Sequence, residues 1–246
     1  MEATHIGHWI GSPLNSLMIE ISSEISDRFN IIEHGKDISI LSDSEVSFCF
    51  FCYDYGSNQD LLNSALVISN NLAKNLIIIN KSDIERRTPN HHSIYDSYNI
   101  HTEGFDNWID ELASKVKLSF SMNHEYLENK HLEPLILKKS VNKELINTLR
   151  YIENNLSDTI REEDIAEKCH YSVTYFSKIF HKSIGISFRD YLCNKRINQA
   201  KSMLISDRSS KVAFIAYQCG YSDVSYFSRI FKKKTGMTPC AFRHVH

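Results

Sequence analysis

The stretch that decides the fold occurs twice. Ile165-Ala166-Glu167-Lys168-Cys169-His170-Tyr171-Ser172 aligns with Ile215-Ala216-Tyr217-Gln218-Cys219-Gly220-Tyr221-Ser222, 50 residues later. One extra residue then enters the second copy, and Val173-Thr174-Tyr175-Phe176-Ser177-Lys178-Ile179-Phe180 aligns with Val224-Ser225-Tyr226-Phe227-Ser228-Arg229-Ile230-Phe231. Gly185 and Gly236 close the two copies. So long a run of matches means one supersecondary unit used twice; a solenoid needs about three or more repeats.

Each copy reads as helix, tight turn, helix. In the second, Val212, Ile215, Ala216 and Cys219 recur at helical spacing, and Gly220 stands where a glycine ends a helix. Either Ser222 or Asp223 caps the next helix, which runs to about Lys234 with Phe227, Ile230 and Phe231 facing inward. In the first copy Glu162–Lys168 is the first helix and Ser172 caps the second, with Phe176, Ile179 and Phe180 as its buried face. This is the helix-turn-helix arrangement. His170 replaces Gly220 in the first turn; a side chain strains a left-handed backbone, so the first motif is expected to be the less regular.

Between the copies, Ser187–Leu204 carries Phe188, Tyr191, Leu192, Ile197, Ala200, Met203 and Leu204 on one side and Arg189, Lys195 and Lys201 elsewhere. One helix of about 18 residues, about 27 Å long, is expected. A rod of that size holds the two second helices at a fixed separation. One turn of B-DNA is about 34 Å, so the pair could enter successive major grooves on one face of a duplex.

Charge divides along the same line. Residues 140–246 carry 17 basic and 10 acidic side chains, a net of +7; the remainder carries 11 and 20, a net of −9. A chain split in this way suggests two domains, the basic one facing a polyanion. Composition excludes collagen-like, mucin-like and wholly disordered chains, with 42% hydrophobic and 24% charged residues. The densest apolar run, Val46–Tyr53, is far short of a membrane span. The start, Met1-Glu2-Ala3-Thr4-His5, lacks the marks of a secretory signal, so a cytoplasmic protein, at the nucleoid when bound to DNA, is expected. Cys49 and Cys52 sit in a strand-like run where positions i and i+3 face opposite ways, which suits core thiols better than a metal site. No metal site and no cofactor are expected.

Arg196-Ile197-Asn198-Gln199-Ala200, Ile215-Ala216, Cys219-Gly220-Tyr221, Ser225-Tyr226-Phe227, Arg229-Ile230-Phe231-Lys232-Lys233 and Thr235-Gly236-Met237-Thr238-Pro239, ending in Phe242-Arg243, closely resemble the DNA-binding domain of the AraC/XylS family of transcriptional regulators. The resemblance covers about Val141 to Arg243. It implies that each second helix lies in a major groove with Val173, Thr174, Ser177 and Lys178, and Val224, Ser225, Ser228 and Arg229, at base edges. Lys178 and Arg229 either donate to guanine O6/N7 or hold phosphate only; Val173 and Val224 either touch a thymine methyl or simply pack. Ser172, Lys182, Ser222, Lys232 and Lys233 are the expected phosphate ligands, while Lys234 can be a solvated helix end. Glu162, Glu163 and Asp164 suit a helix start by their charge and point away from DNA, toward RNA polymerase. Implied partners are double-stranded DNA and RNA polymerase; no effector is legible.

The acidic half alternates strand-like and helical runs. Strands are expected at His5–Ile10, Ile38–Leu41, Val46–Tyr53, Leu76–Ile79 and Ser93–Ile100, with helices at Pro13–Phe29, Asn58–Ala73 and Gly104–Leu118. The fold class is therefore a small doubly wound α/β domain followed by an all-α domain with two helix-turn-helix motifs joined by a long helix. The expected domains are residues 1–120, a linker at 121–140 that is either a tether or a short dimer helix, and residues 141–246. The first domain resembles a response-regulator receiver that has lost its metal ligands. Asp54 stands where the resemblance implies a phosphoacceptor, but Ile10-Gly11-Ser12-Pro13 replaces the acidic pair, Asn80 the Ser or Thr, and His101-Thr102-Glu103-Gly104 the Lys-Pro. Without Mg²⁺ ligands beside it, this carboxylate has little near it to neutralise the charge of an incoming phosphoryl group. The expected function is a sequence-specific activator, homodimeric through this pseudo-receiver. The alternative is a regulator switched by phosphorylation of Asp54. No Gly-rich phosphate loop or G-x-S-x-G supports an enzyme; a repair methyltransferase with reactive cysteines is the enzyme reading to be weighed.

Overall fold

The computed structural model describes residues 5–82, 90–128 and 143–245. The chain divides into two compact units, Met1–Val141 and Asn142–His246.

Five parallel strands build the first unit: β1 (His5–Gly11), β2 (Phe29–Gly35), β3 (Phe48–Tyr53), β4 (Asn75–Asn80) and β5 (Ile94–Asn99). Their order, β2-β1-β3-β4-β5, reverses between β1 and β3, so the sheet is doubly wound. Helices α1 (Ile19–Arg28) and α3 (Phe105–Glu128) bury Ile21, Ile25, Ile109 and Leu112 against Trp9, Phe29, Phe50 and Ile77 on one face. On the other, α2 (Gln59–Leu72) packs on β3, β4 and a 3-10 turn, Ile38–Ser42. Every residue of β3 is buried, as a central parallel strand covered on both faces requires.

Two expected elements fall elsewhere. Ile38–Leu41 is buried but forms that 3-10 turn, held by the Asp37 carboxylate accepting from the Ser39 amide at 2.9 Å. The second strand is Phe29–Gly35 instead, and the helix expected from Pro13 starts at Ile19, after a short 3-10 turn at Leu14–Ser16. The third helix runs on to Glu128, so the start of the expected linker is helical. Residues 129–140, the rest of that linker, lie outside the described residues.

The second unit is all helix: α4 (Lys143–Asn154), α5 (Glu162–Lys168), α6 (Val173–Ile184), α7 (Phe188–Ser206), α8 (Val212–Gln218), α9 (Val224–Thr235) and α10 (Pro239–Val245). The rod α7 has 19 residues, about 28 Å. Its N-terminal half packs Phe188 and Tyr191 edge-on to Phe176 and Phe180 of α6. Its C-terminal half places Ile197, Ala200 and Leu204 in a second core with Ile215, Ala216, Cys219, Phe227, Phe231 and Phe242. Because α7 serves two cores it is buried on more than one side. Lys195, expected off the apolar side, is accordingly buried, with its ammonium 2.6 Å from Glu153 Oε1 on α4.

Candidate nucleic-acid interface

The turn between α5 and α6 and the turn between α8 and α9 have the same hydrogen bonds. His170 N donates to Glu167 O and Tyr171 N to Ala166 O; Gly220 N donates to Tyr217 O and Tyr221 N to Ala216 O, all at 2.8–2.9 Å. Both are the 6→1, 5→2 pattern that satisfies the last carbonyls of a helix around a left-handed residue. That residue is Gly220 at φ +76° in one copy and His170 at φ +56° in the other. The left-handed backbone expected at His170 is therefore present, but the irregularity expected of the first turn is not, since its hydrogen bonds match those of the second. Gly220 is required by space as well: a Cβ there would overlap the Leu156 carbonyl oxygen and the Arg196 guanidinium. Arg196 itself closes this corner, donating to Leu156 O at 3.0 Å and Asp158 O at 2.7 Å and lying over the Tyr221 ring.

Caps fix where each second helix starts. Ser172 Oγ accepts from Tyr175 N at 3.3 Å. In the second copy the cap is Asp223, not Ser222; its carboxylate accepts from Ser225 N at 2.7 Å and Tyr226 N at 3.0 Å. With Phe176, Phe180 and Ile184 buried, α6 leaves Ser172, Val173, Thr174, Ser177, Lys178 and Lys182 exposed along one side. With Phe227 and Phe231 buried, α9 leaves Ser225, Arg229, Lys232 and Lys233 exposed, and Ser222 is exposed before it. Val224 and Ser228 are only half exposed: Val224 packs against the second core, and the Ser228 hydroxyl donates to Val224 O at 2.9 Å. The sequence reading passed over Tyr175 and Tyr226, which stand exposed on the same helices; the Arg229 guanidinium lies 5.9 Å from the Tyr226 ring centre. Their pairing across the repeat was the available signal.

In the first unit Asp54 follows β3, half-buried, with its amide donating to Asn58 Oδ1 at 3.0 Å. Asn58 Nδ2 donates to Cys52 O at 2.8 Å and reaches Ser12 Oγ at 3.4 Å, so the Asn58 and Ser12 side chains meet at the point where the strand order reverses. Glu33, at the end of β2, accepts from Leu14 N. Cys49 and Cys52 are buried; desolvation pushes both thiols up, Cys52 to about 12 against a smaller opposing pull from Lys81. A nucleophilic cysteine needs its thiolate, and this environment withholds it. Among the described residues no helix is long and apolar enough to cross a membrane.

Residues 165–244 match a helix-turn-helix domain family. The chain is 40% identical over 95 residues to the regulatory protein PocR of Salmonella typhimurium, covering 39% of this chain and 31% of that protein. It is 35% identical over 95 residues to the bifunctional transcriptional activator/DNA repair enzyme AdaA of Bacillus subtilis, covering 39% and 44%. Among solved structures, the C-terminal domain of the two-component response regulator yesN from Fusobacterium nucleatum is 37% identical, covering 39% of this chain and 94% of that one, with a TM-score of 0.39. The C-terminal region of the chain is thus an AraC-type helix-turn-helix DNA-binding domain. The chain spans about a third of the length of the first curated relatives it matches.

Proposed function

We propose that the chain is a sequence-specific transcriptional activator whose second unit sets α6 and α9 into two successive major grooves. The observation that carries this is α7, one helix of about 28 Å with a half built into each core. On this reading Val173, Thr174, Ser177 and Lys178 of α6 and Ser225 and Arg229 of α9 meet base edges, with Val224 and Ser228 beside them. Ser172, Lys182, Ser222, Lys232 and Lys233 hold phosphates, giving affinity and register without sequence information. RNA polymerase is the protein partner, the first unit joins two copies, and the site of action is cytoplasmic DNA.

The sheet order of the first unit supports its kinship with receivers, and Ser12 and Asn58, in place of carboxylates beside Asp54, favour a contact module over a phosphorylated switch. Intact mass after incubation with a phosphoryl donor and Mg²⁺ is expected to show no adduct on Asp54; an adduct would favour the switched regulator.

Selection of bound sequences from a random library tests the base contacts. Arg229→Ala is expected to relax preference at one base, by about 1–3 kcal/mol for a bidentate contact. An unchanged preference removes Arg229 from the reading surface.

A further inference from the structure

A cleft of about 470 Å³ lies between the N-terminal half of α7 and one side of α9. Arg189, Lys233 and Lys234 bring exposed cations to it, and Leu192, Tyr221 and Ile230 supply apolar walls. Its acids are already engaged: Asp190 Oδ2 accepts from Ser187 Oγ at 2.6 Å, and Asp223 accepts from the first amides of α9. Arg196, also in the wall, is spent on the Leu156 and Asp158 carbonyls. With four cationic side chains, Arg189, Arg196, Lys233 and Lys234, against the carboxylates of Asp190 and Asp223, the cleft presents net positive charge over an apolar floor.

We propose that this cleft seats one of the two sugar-phosphate strands that border the minor groove between the two major grooves, with Arg189 and Lys234 as phosphate ligands beside Lys233. This rests on the two-groove reading above. Three features favour a nucleic-acid backbone over a free anion. A small hydrated anion gains little from Leu192 and Ile230, whereas a backbone alternates charged phosphate with apolar sugar edges that match both parts of the lining. The cleft adjoins the reading side of α9, because Tyr226 forms part of its wall and the Arg229 guanidinium lies 5.9 Å from the centre of the same ring. It also lies against the rod that joins the two motifs, on the side of the second motif, close to where the strands bordering the minor groove run if both helices are inserted.

The test uses the full chain and a duplex recovered by selection. Arg189→Ala and Lys234→Ala change exposed side chains outside both cores. Each is expected to lower the slope of log affinity against log salt by about one unit. Each should weaken specific and unrelated duplexes by the same factor, leaving base preference unchanged. Inorganic pyrophosphate, titrated without DNA and followed by NMR, is expected to leave the Leu192 and Ile230 methyl signals unmoved at physiological salt. Parent-like slopes in both variants, with two grooves still protected in a hydroxyl-radical footprint, overturn the cleft and leave the two-groove reading standing. Saturable pyrophosphate shifts with parent-like slopes also overturn it, in favour of a small-anion site. A footprint confined to one groove overturns the two-groove reading itself.

Discussion

The two helix-turn-helix copies share a turn and differ in what makes the turn possible. In the second, Gly220 takes the left-handed conformation without strain and leaves room for Arg196 and the Leu156 carbonyl to close beneath it. In the first, His170 takes nearly the same conformation with a side chain attached, and the hydrogen bonds are kept. The caps differ in the same sense: Asp223 accepts two amides, Ser172 one longer bond. Identical topology thus comes with unequal margins, and the second motif is the better fixed of the pair.

Substitutions can break that asymmetry. The largest effect is expected at Gly220. Gly220→Ala adds backbone strain and overlap with Leu156 and Arg196, and should destabilise the second unit by about 2–4 kcal/mol in chemical denaturation. A loss below about 1 kcal/mol would mean the corner relaxes freely. Next come the caps. Asp223→Ala should cost about 1 kcal/mol or somewhat more, since its carboxylate also meets the positive end of α9, and Ser172→Ala should cost less. Equal losses would show that the two caps hold their helices equally well. The smallest effect runs the other way: His170→Gly relieves left-handed strain against a chain-entropy cost, so thermal unfolding should show a gain of up to about 1 kcal/mol. A destabilised His170→Gly would show that the imidazole makes contacts outweighing its strain.

The same unevenness marks what the sequence could reveal. The repeat was legible because helix periodicity, the paired Phe-Ile faces and the punctuating glycines agree at every level. What was missed depends on tertiary surroundings. Lys195 lies buried because α4 supplies Glu153 across from it, a partner 42 residues away that no local pattern announces. Thr238 repeats the capping role of Ser187, each accepting from the amide three residues on, so α10 mimics the start of α7; the short closing helix gave too little periodicity to show it. In the first unit Ile38–Leu41 has the apolar content of a strand, but four residues cannot separate a strand from a buried turn. Phe29–Gly35 was lost because the preceding apolar stripe was carried through Phe29, and half of that edge strand faces solvent. For the interface, outward-facing side chains followed from burial of the Phe positions. The inward lean of Val224 and Ser228 depends on how deeply α9 sits in its core, which only coordinates reveal.

The central claim is that α7 sets α6 and α9 at a spacing and phase matched to one duplex turn. Inserting about 5 base pairs, half a turn, between the two recognised segments of a selected site rotates one segment to the far side of the duplex. Tight binding is expected to collapse at half a turn, because a single helix built into both cores cannot follow the rotation. Affinity that stays level across the insertion series would contradict it.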